Sequence, residues 1–244
     1  MKLFSVMMLM SAMIVGLMNV GLAGAPVDLT KIATPEQLKA EITAQMKAVD
    51  ELVKEGKFGE KAAALKQAAG VVAVMSQGVA ELSAADAPKA VALRDAAIKI
   101  WQTKEEADLK TAAADLQKTY TTEATSTAEV AHPWNKLTKM GGMMEEINTR
   151  NSKLRRAIRR PKGDVDEQLH AITCAMLTVA MYADTHEVKD KAKVPEWEKM
   201  SVDYIEALKT LTKALADKDS KTAEEAYKVA NESCEKCHEV FRDE

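Results

Sequence analysis

The residues best equipped for chemistry lie close to the C-terminus, in the run Cys234-Glu-Lys-Cys237-His238. Two thiols at this spacing can reach the two vinyl groups of a haem, and the adjoining imidazole can reach iron from the same side. Cys-x-x-Cys-His is the signature of covalent haem c attachment. Cys234 and Cys237 would form the thioethers and His238 would be the proximal iron ligand. A zinc site would need a second Cys/His pair, and the sequence holds only 3 Cys and 4 His. A dithiol redox motif normally opens a helix beside a βαβ unit, whereas this one closes a helical stretch.

The elements that must position these groups read as helices throughout. The chain has 244 residues, with 10 Gly, 6 Pro, 14 Met and 4% aromatic residues. Ala, Lys, Glu and Leu fill much of the remainder, and such residues lose little freedom in a helix. No alternating Val/Ile/aromatic stretch suits a sheet. The formal net charge of −3 gives no basic excess for a nucleic-acid partner.

Met1-Lys2, an apolar run over Leu3 to Met18 and small residues around Ala23 predict a secretory signal peptide over 1–23. Cleavage after Ala23 is favoured over Ala25, which would leave Pro26 at the first mature position. The apolar core falls short of the ~20 residues of a membrane span. An exported protein, periplasmic or otherwise, with no span after cleavage is expected.

Beyond the signal the chain reads as two similar halves, 24–130 and 131–244, meeting near Ala131-His132-Pro133. The run from Asp108 echoes that from Asp219, and Leu29-Thr-Lys-Ile32 echoes Leu137-Thr-Lys-Met140. The predicted fold is all-α: two tandem up-down-up-down four-helix bundles, the second binding haem c. In the second half the predicted helices run from Trp134 to Ile158, from Asp164 to Thr185, from Pro195, and from an N-cap near Ser220. In the first half they cover roughly 38–55, 60–82, 87–104 and 108–128. Ungapped alignment sets Glu123, Ser126 and Thr127 against Cys234, Cys237 and His238. The first bundle should therefore be haem-free and the protein monohaem.

The second half, with Cys234-Glu-Lys-Cys237-His238-Glu-Val-Phe241-Arg242 at its end, resembles the cytochrome c′ family and its low-spin, Met-ligated relatives. The first half resembles them only as a degenerate echo. The resemblance implies a periplasmic four-helix bundle with its haem on the last helix. It also implies a division of function. Members with Met on the first helix as sixth ligand transfer electrons, while members with an apolar residue there leave iron open to NO or CO. Matching Leu137-Thr-Lys-Met140-Gly-Gly-Met-Met144 to that helix puts Leu137 at the distal face, with Met140 as the rival sixth ligand. The resemblance places Arg242 near the iron or a propionate; otherwise it is a surface cation at a helix C-terminus.

The basic cluster Lys153, Arg155, Arg156, Arg159, Arg160 and Lys162 could steer an acidic redox partner, pair with propionates, or simply complement a helix end. Cys174, within an apolar stretch, reads as buried, and a homodimer through it would require exposure. His170 is the remaining alternative for the sixth ligand. No hydrolytic or phosphate-binding motif is present, so no enzyme is expected. Electron transfer with a redox partner leads; a five-coordinate gas binder and an interaction protein using the first bundle are the alternatives.

Overall fold

The computed structural model describes residues 24–56 and 58–242. The signal-peptide expectation falls outside these residues. They form eight α-helices and three short 3-10 turns, with no strand. The helices are α1 (Pro35–Glu55), α2 (Phe58–Leu82), α3 (Ala87–Gln102), α4 (Glu106–Thr121), α5 (Met140–Ala157), α6 (Val165–Ala183), α7 (Val194–Ala216) and α8 (Ser220–Phe241). No helix among the described residues is long and apolar enough to cross a membrane.

Local chemistry sets most helix ends. Thr34 and Gln37 form a reciprocal capping box at α1, with Pro35 in its first turn. After α5, Gly163 takes the left-handed conformation (φ 77°) and Asp164 caps α6 by accepting from the Glu167 N–H at 2.9 Å. Asp219, not Ser220, caps α8; its carboxylate accepts from the Thr222 N–H at 3.1 Å.

Two predicted helices are shorter in the structure. α4 ends at Thr121 instead of continuing to 128. The run Thr119-Tyr-Thr-Thr has weak helix propensity, and Glu123 turns the chain with φ 48°. The Ser126 N–H then bonds the Pro88 carbonyl at 2.9 Å. α5 begins at Met140, not Trp134. Trp134–Lys136 is a 3-10 turn, and Lys139 is extended (φ −96°, ψ 146°) as the N-cap.

In the first half, α1 packs on α2, α2 on α3 and α3 on α4, and α1 closes against α4. In the second half, α5 through α8 pack in the same sequence, but α5 and α8 do not form a comparably close pair. They are joined by Asn151 donating to Asn231 at 3.0 Å and by the Tyr227 hydroxyl donating to the Asn151 carbonyl at 3.4 Å.

The halves are not separate bodies. One continuous hydrophobic cluster runs through both. α2 packs on α5 and α6, and α1 reaches α6. Every residue of 68–80 in α2 and of 171–181 in α6 is buried, so these two helices are apolar all round rather than amphipathic. The Trp134 indole N–H donates to Glu81 at 2.9 Å, and Arg94 holds the carbonyls of Glu129 and Val130. The connector is thereby fastened to α2 and α3.

At this seam Gly70 allows a close approach. A Cβ there would lie 2.3 Å from Thr138 Oγ1 and 3.1 Å from Thr138 Cβ. We expect Gly70→Ala to lower stability by about 1–3 kcal/mol through overpacking. Urea unfolding checks this, and an unchanged midpoint would show that the seam yields freely.

The seam also encloses charge. The Arg150 guanidinium pairs with Glu41 across the halves and with Glu146 at 2.6 Å. Its Nη1 lies 3.0 Å from Nδ1 of His170. Burial, then the charges of Arg150, Lys153 and Arg156, lower the His170 pKa from 6.5 to about 4. The unfolded state therefore binds more protons between these values, and stability from this group falls as pH drops from about 6.5 to 4. A His170→Gln variant should show a shallower loss over that window in thermal melts. Parallel profiles would remove His170 as a cause.

Candidate functional site

The spread between α5 and α8 opens a cavity of about 640 Å³, within the ~300–1,000 Å³ usual for small-molecule and cofactor sites. Cys234, Cys237 and His238 line it from the C-terminal part of α8. Their spacing of three and four residues puts all three on one helical face. Met140, Met144 and Ile147 line it from the N-terminal part of α5. Met181 of α6 and Met200 of α7 also line it, so four methionines share a cavity with the imidazole, and Trp197 and Phe241 add apolar wall. Trp197 and Phe241 meet edge to face, with ring centroids 5.2 Å apart and planes at 88°, which fixes the end of α8 against the start of α7.

The three cysteines are all free thiols. Burial raises the pKa of Cys234 and lifts that of Cys237 to about 11. Both stay protonated at neutral pH, which slows oxidation, because the thiolate is the reactive form. His238 is exposed at the mouth of the cavity.

Tyr204 is a functional candidate that the motifs in the sequence do not single out. It lines the cavity from α7 and is 6% exposed, and among the described residues its hydroxyl meets only the thiols of Cys174 and Cys234, without a hydrogen bond of good geometry. Burial pushes its pKa well up, with the two thiols adding to the effect. A thiol is a weak partner, so a bound molecule with a better acceptor or donor would satisfy this hydroxyl more fully. Nothing in the sequence shows what it faces.

The remaining candidates divide clearly. Arg242 lines the cavity as the C-cap of α8. Leu137 does not line it. Because α5 starts only at Met140, Leu137 lies in the preceding turn, fully buried, with its carbonyl accepting from the Trp101 indole N–H at 2.8 Å. Met140 and Met144, rather than Leu137, are the residues of this stretch that line the cavity. His170 sits at the seam beside Arg150, outside this cavity. Cys174 is fully buried, as expected. The basic cluster lies at and just beyond the end of α5, and none of Lys153, Arg155, Arg156, Arg159, Arg160 and Lys162 lines this cavity.

Glu123, Ser126 and Thr127 lie in the loop after α4 rather than on a helix. At these positions the first half has neither the residue types nor the local helix on which Cys234, Cys237 and His238 stand. Among the described residues, no group of three or more His, Cys, Asp or Glu side chains is arranged to hold a metal ion. Comparisons with protein-family models, curated proteins and solved structures found no match for this chain.

Proposed function

We propose that this chain is an exported monohaem c-type cytochrome that transfers single electrons, built as two tandem four-helix bundles of which only the second binds haem c. The observation that carries the reading is the shared cavity: two thiols and an imidazole on α8 face two thioethers on α5. A flat, mostly apolar group with polar edges suits these walls, and the Tyr204 hydroxyl, with only weak thiol partners, leaves a polar group for a ligand to satisfy. When bound, the haem supplies a one-electron Fe(III)/Fe(II) couple.

Cys234 and Cys237 would hold the group covalently, and His238 would ligate the iron. Met140 or Met144 would supply a further ligand; each is a flexible thioether able to adjust its reach. Trp197, Phe241 and Ile147 would exclude water from an apolar group here. Arg242 would offer a cation to a carboxylate of the group. The exposure of His238 leaves this end of the cavity open to solvent, where a redox partner could approach.

The displacement of Leu137 from the cavity favours electron transfer over gas binding, because thioether donors stand where an apolar residue would leave iron open. Optical spectra of the reduced protein, with and without carbon monoxide, test this. A six-coordinate spectrum indifferent to the gas is expected, and a large shift on adding it would instead establish the five-coordinate binder. Met140→Leu and Met144→Leu, made singly, identify the ligand. One of them should convert the reduced protein to a carbon monoxide-responsive form while the other leaves the spectrum unchanged. Unchanged spectra for both would remove Met140 and Met144 as ligands.

A further inference from the structure

A second cavity, of about 1,050 Å³, lies between α1 and the corner where α5 turns into α6. Lys153, Arg156, Arg160 and Lys162 line it, with Arg150 and His170 also in its walls. On the α1 side, Ala44 and Ala48 contribute no bulk. We propose that this cleft is a binding site for a small polyanion bearing phosphate or carboxylate groups, separate from the cavity at His238.

The argument rests on convergence and on the absence of competing partners. Several surface lysines elsewhere have a carboxylate partner, as in Lys39–Asp86, Lys54–Asp50, Lys89–Glu123, Lys199–Asp203 and Lys213–Asp217. The side chains of Lys153, Arg156, Arg160 and Lys162 make no ion pair with the described residues. The carboxylates in the cleft are partly committed: Glu41 holds Arg150, and Glu167 accepts from the Lys162 backbone N–H at 2.7 Å. Asp166 alone of the three remains exposed without such a bond.

Complementing a helix C-terminus requires cations in its last turn, but not their convergence with Lys162 beyond the helix on one cleft. Guanidinium groups suit this chemistry because each can bind a phosphate or carboxylate through two parallel N–H donors. His170 adds a donor. Its Nδ1 faces the always-charged Arg150 and must accept, so the proton sits on Nε2. The low pKa of His170, caused in part by Arg150, Lys153 and Arg156, reports the positive potential in the cleft.

Calorimetric titration of the full holoprotein in 0.1 M NaCl tests the proposal, using inorganic pyrophosphate in one arm and citrate in the other. Saturable binding of at least one anion is expected. It should weaken tenfold or more in K153Q/R156Q/R160Q and stay within twofold in R155Q/R159Q, whose side chains do not line the cleft. Preference for pyrophosphate assigns phosphate as the natural group, and preference for citrate assigns carboxylate. Absence of saturable binding by either anion overturns the proposal, as does equal weakening by both sets of substitutions. Visible spectra recorded alongside stay constant in every variant, so failure here is distinguishable from failure of the cytochrome reading.

Discussion

Under the cytochrome reading, replacing Cys234 and Cys237 together with serine should abolish covalent haem: the denatured variant is expected to show no haem stain on a gel, whereas the parent chain should stay stained. Serine keeps the shape of cysteine but offers no sulfur for a thioether. Each single variant should retain one bond and stain weakly. Cys174→Ser is the control. Cys174 is fully buried in α6, its pKa is pushed to about 12 by burial, and it does not line the cavity. It should leave staining unchanged. Covalent haem surviving in the double variant would sink the cytochrome reading outright. His238→Ala is a complementary probe, since it keeps both sulfurs while removing the proximal ligand.

The second large effect concerns the seam. Arg150→Met should destabilise the fold by about 3–5 kcal/mol, the cost of leaving buried charge without its partner. Glu41 and Glu146 are 1% and 7% exposed, and both lean on this guanidinium. Gln45 donates to Glu41 at 2.8 Å and Gln67 donates to Glu146 at 2.7 Å, but these amides carry no charge to offset the carboxylates. Adding Glu41→Gln and Glu146→Gln to the variant should restore much of the loss, because no buried charge then remains. Urea midpoints for the single and triple variants decide the matter. A single variant as stable as the parent would show that water reaches the site.

The sequence is most informative where local chemistry acts alone. Pro161 and Gly163 mark the break after α5, Pro195 marks the first turn of α7, and the three reactive residues of α8 fall on one face as their spacing requires. It is least informative where distant segments decide the outcome. Leu137 lies on the same apolar stripe as Met140, yet the 3-10 turn at Trp134 and the hydrogen bond from Trp101 draw it away from the cavity. Arg150 and Glu41 are 109 residues apart, and no periodicity announces their pairing. The early end of α4 depends on a run of threonines and a left-handed Glu123, signals too weak to override the echo of α8. The weakly partnered Tyr204 hydroxyl becomes evident only once α7 and α8 are packed.

The way α1 and α2 meet α5 and α6 bears on assembly. If the halves are copies of one unit, its second helix meets its counterpart, and its first helix meets the other copy's second helix in both directions. That reciprocal pattern is the isologous contact of a two-fold homodimer, here made within one polypeptide. The surface a lone bundle would use for self-association is thus already covered from inside the chain. One consequence is stoichiometric: under the cytochrome reading, such a pseudo-dimer would carry a single haem where a true dimer of the second bundle would carry two.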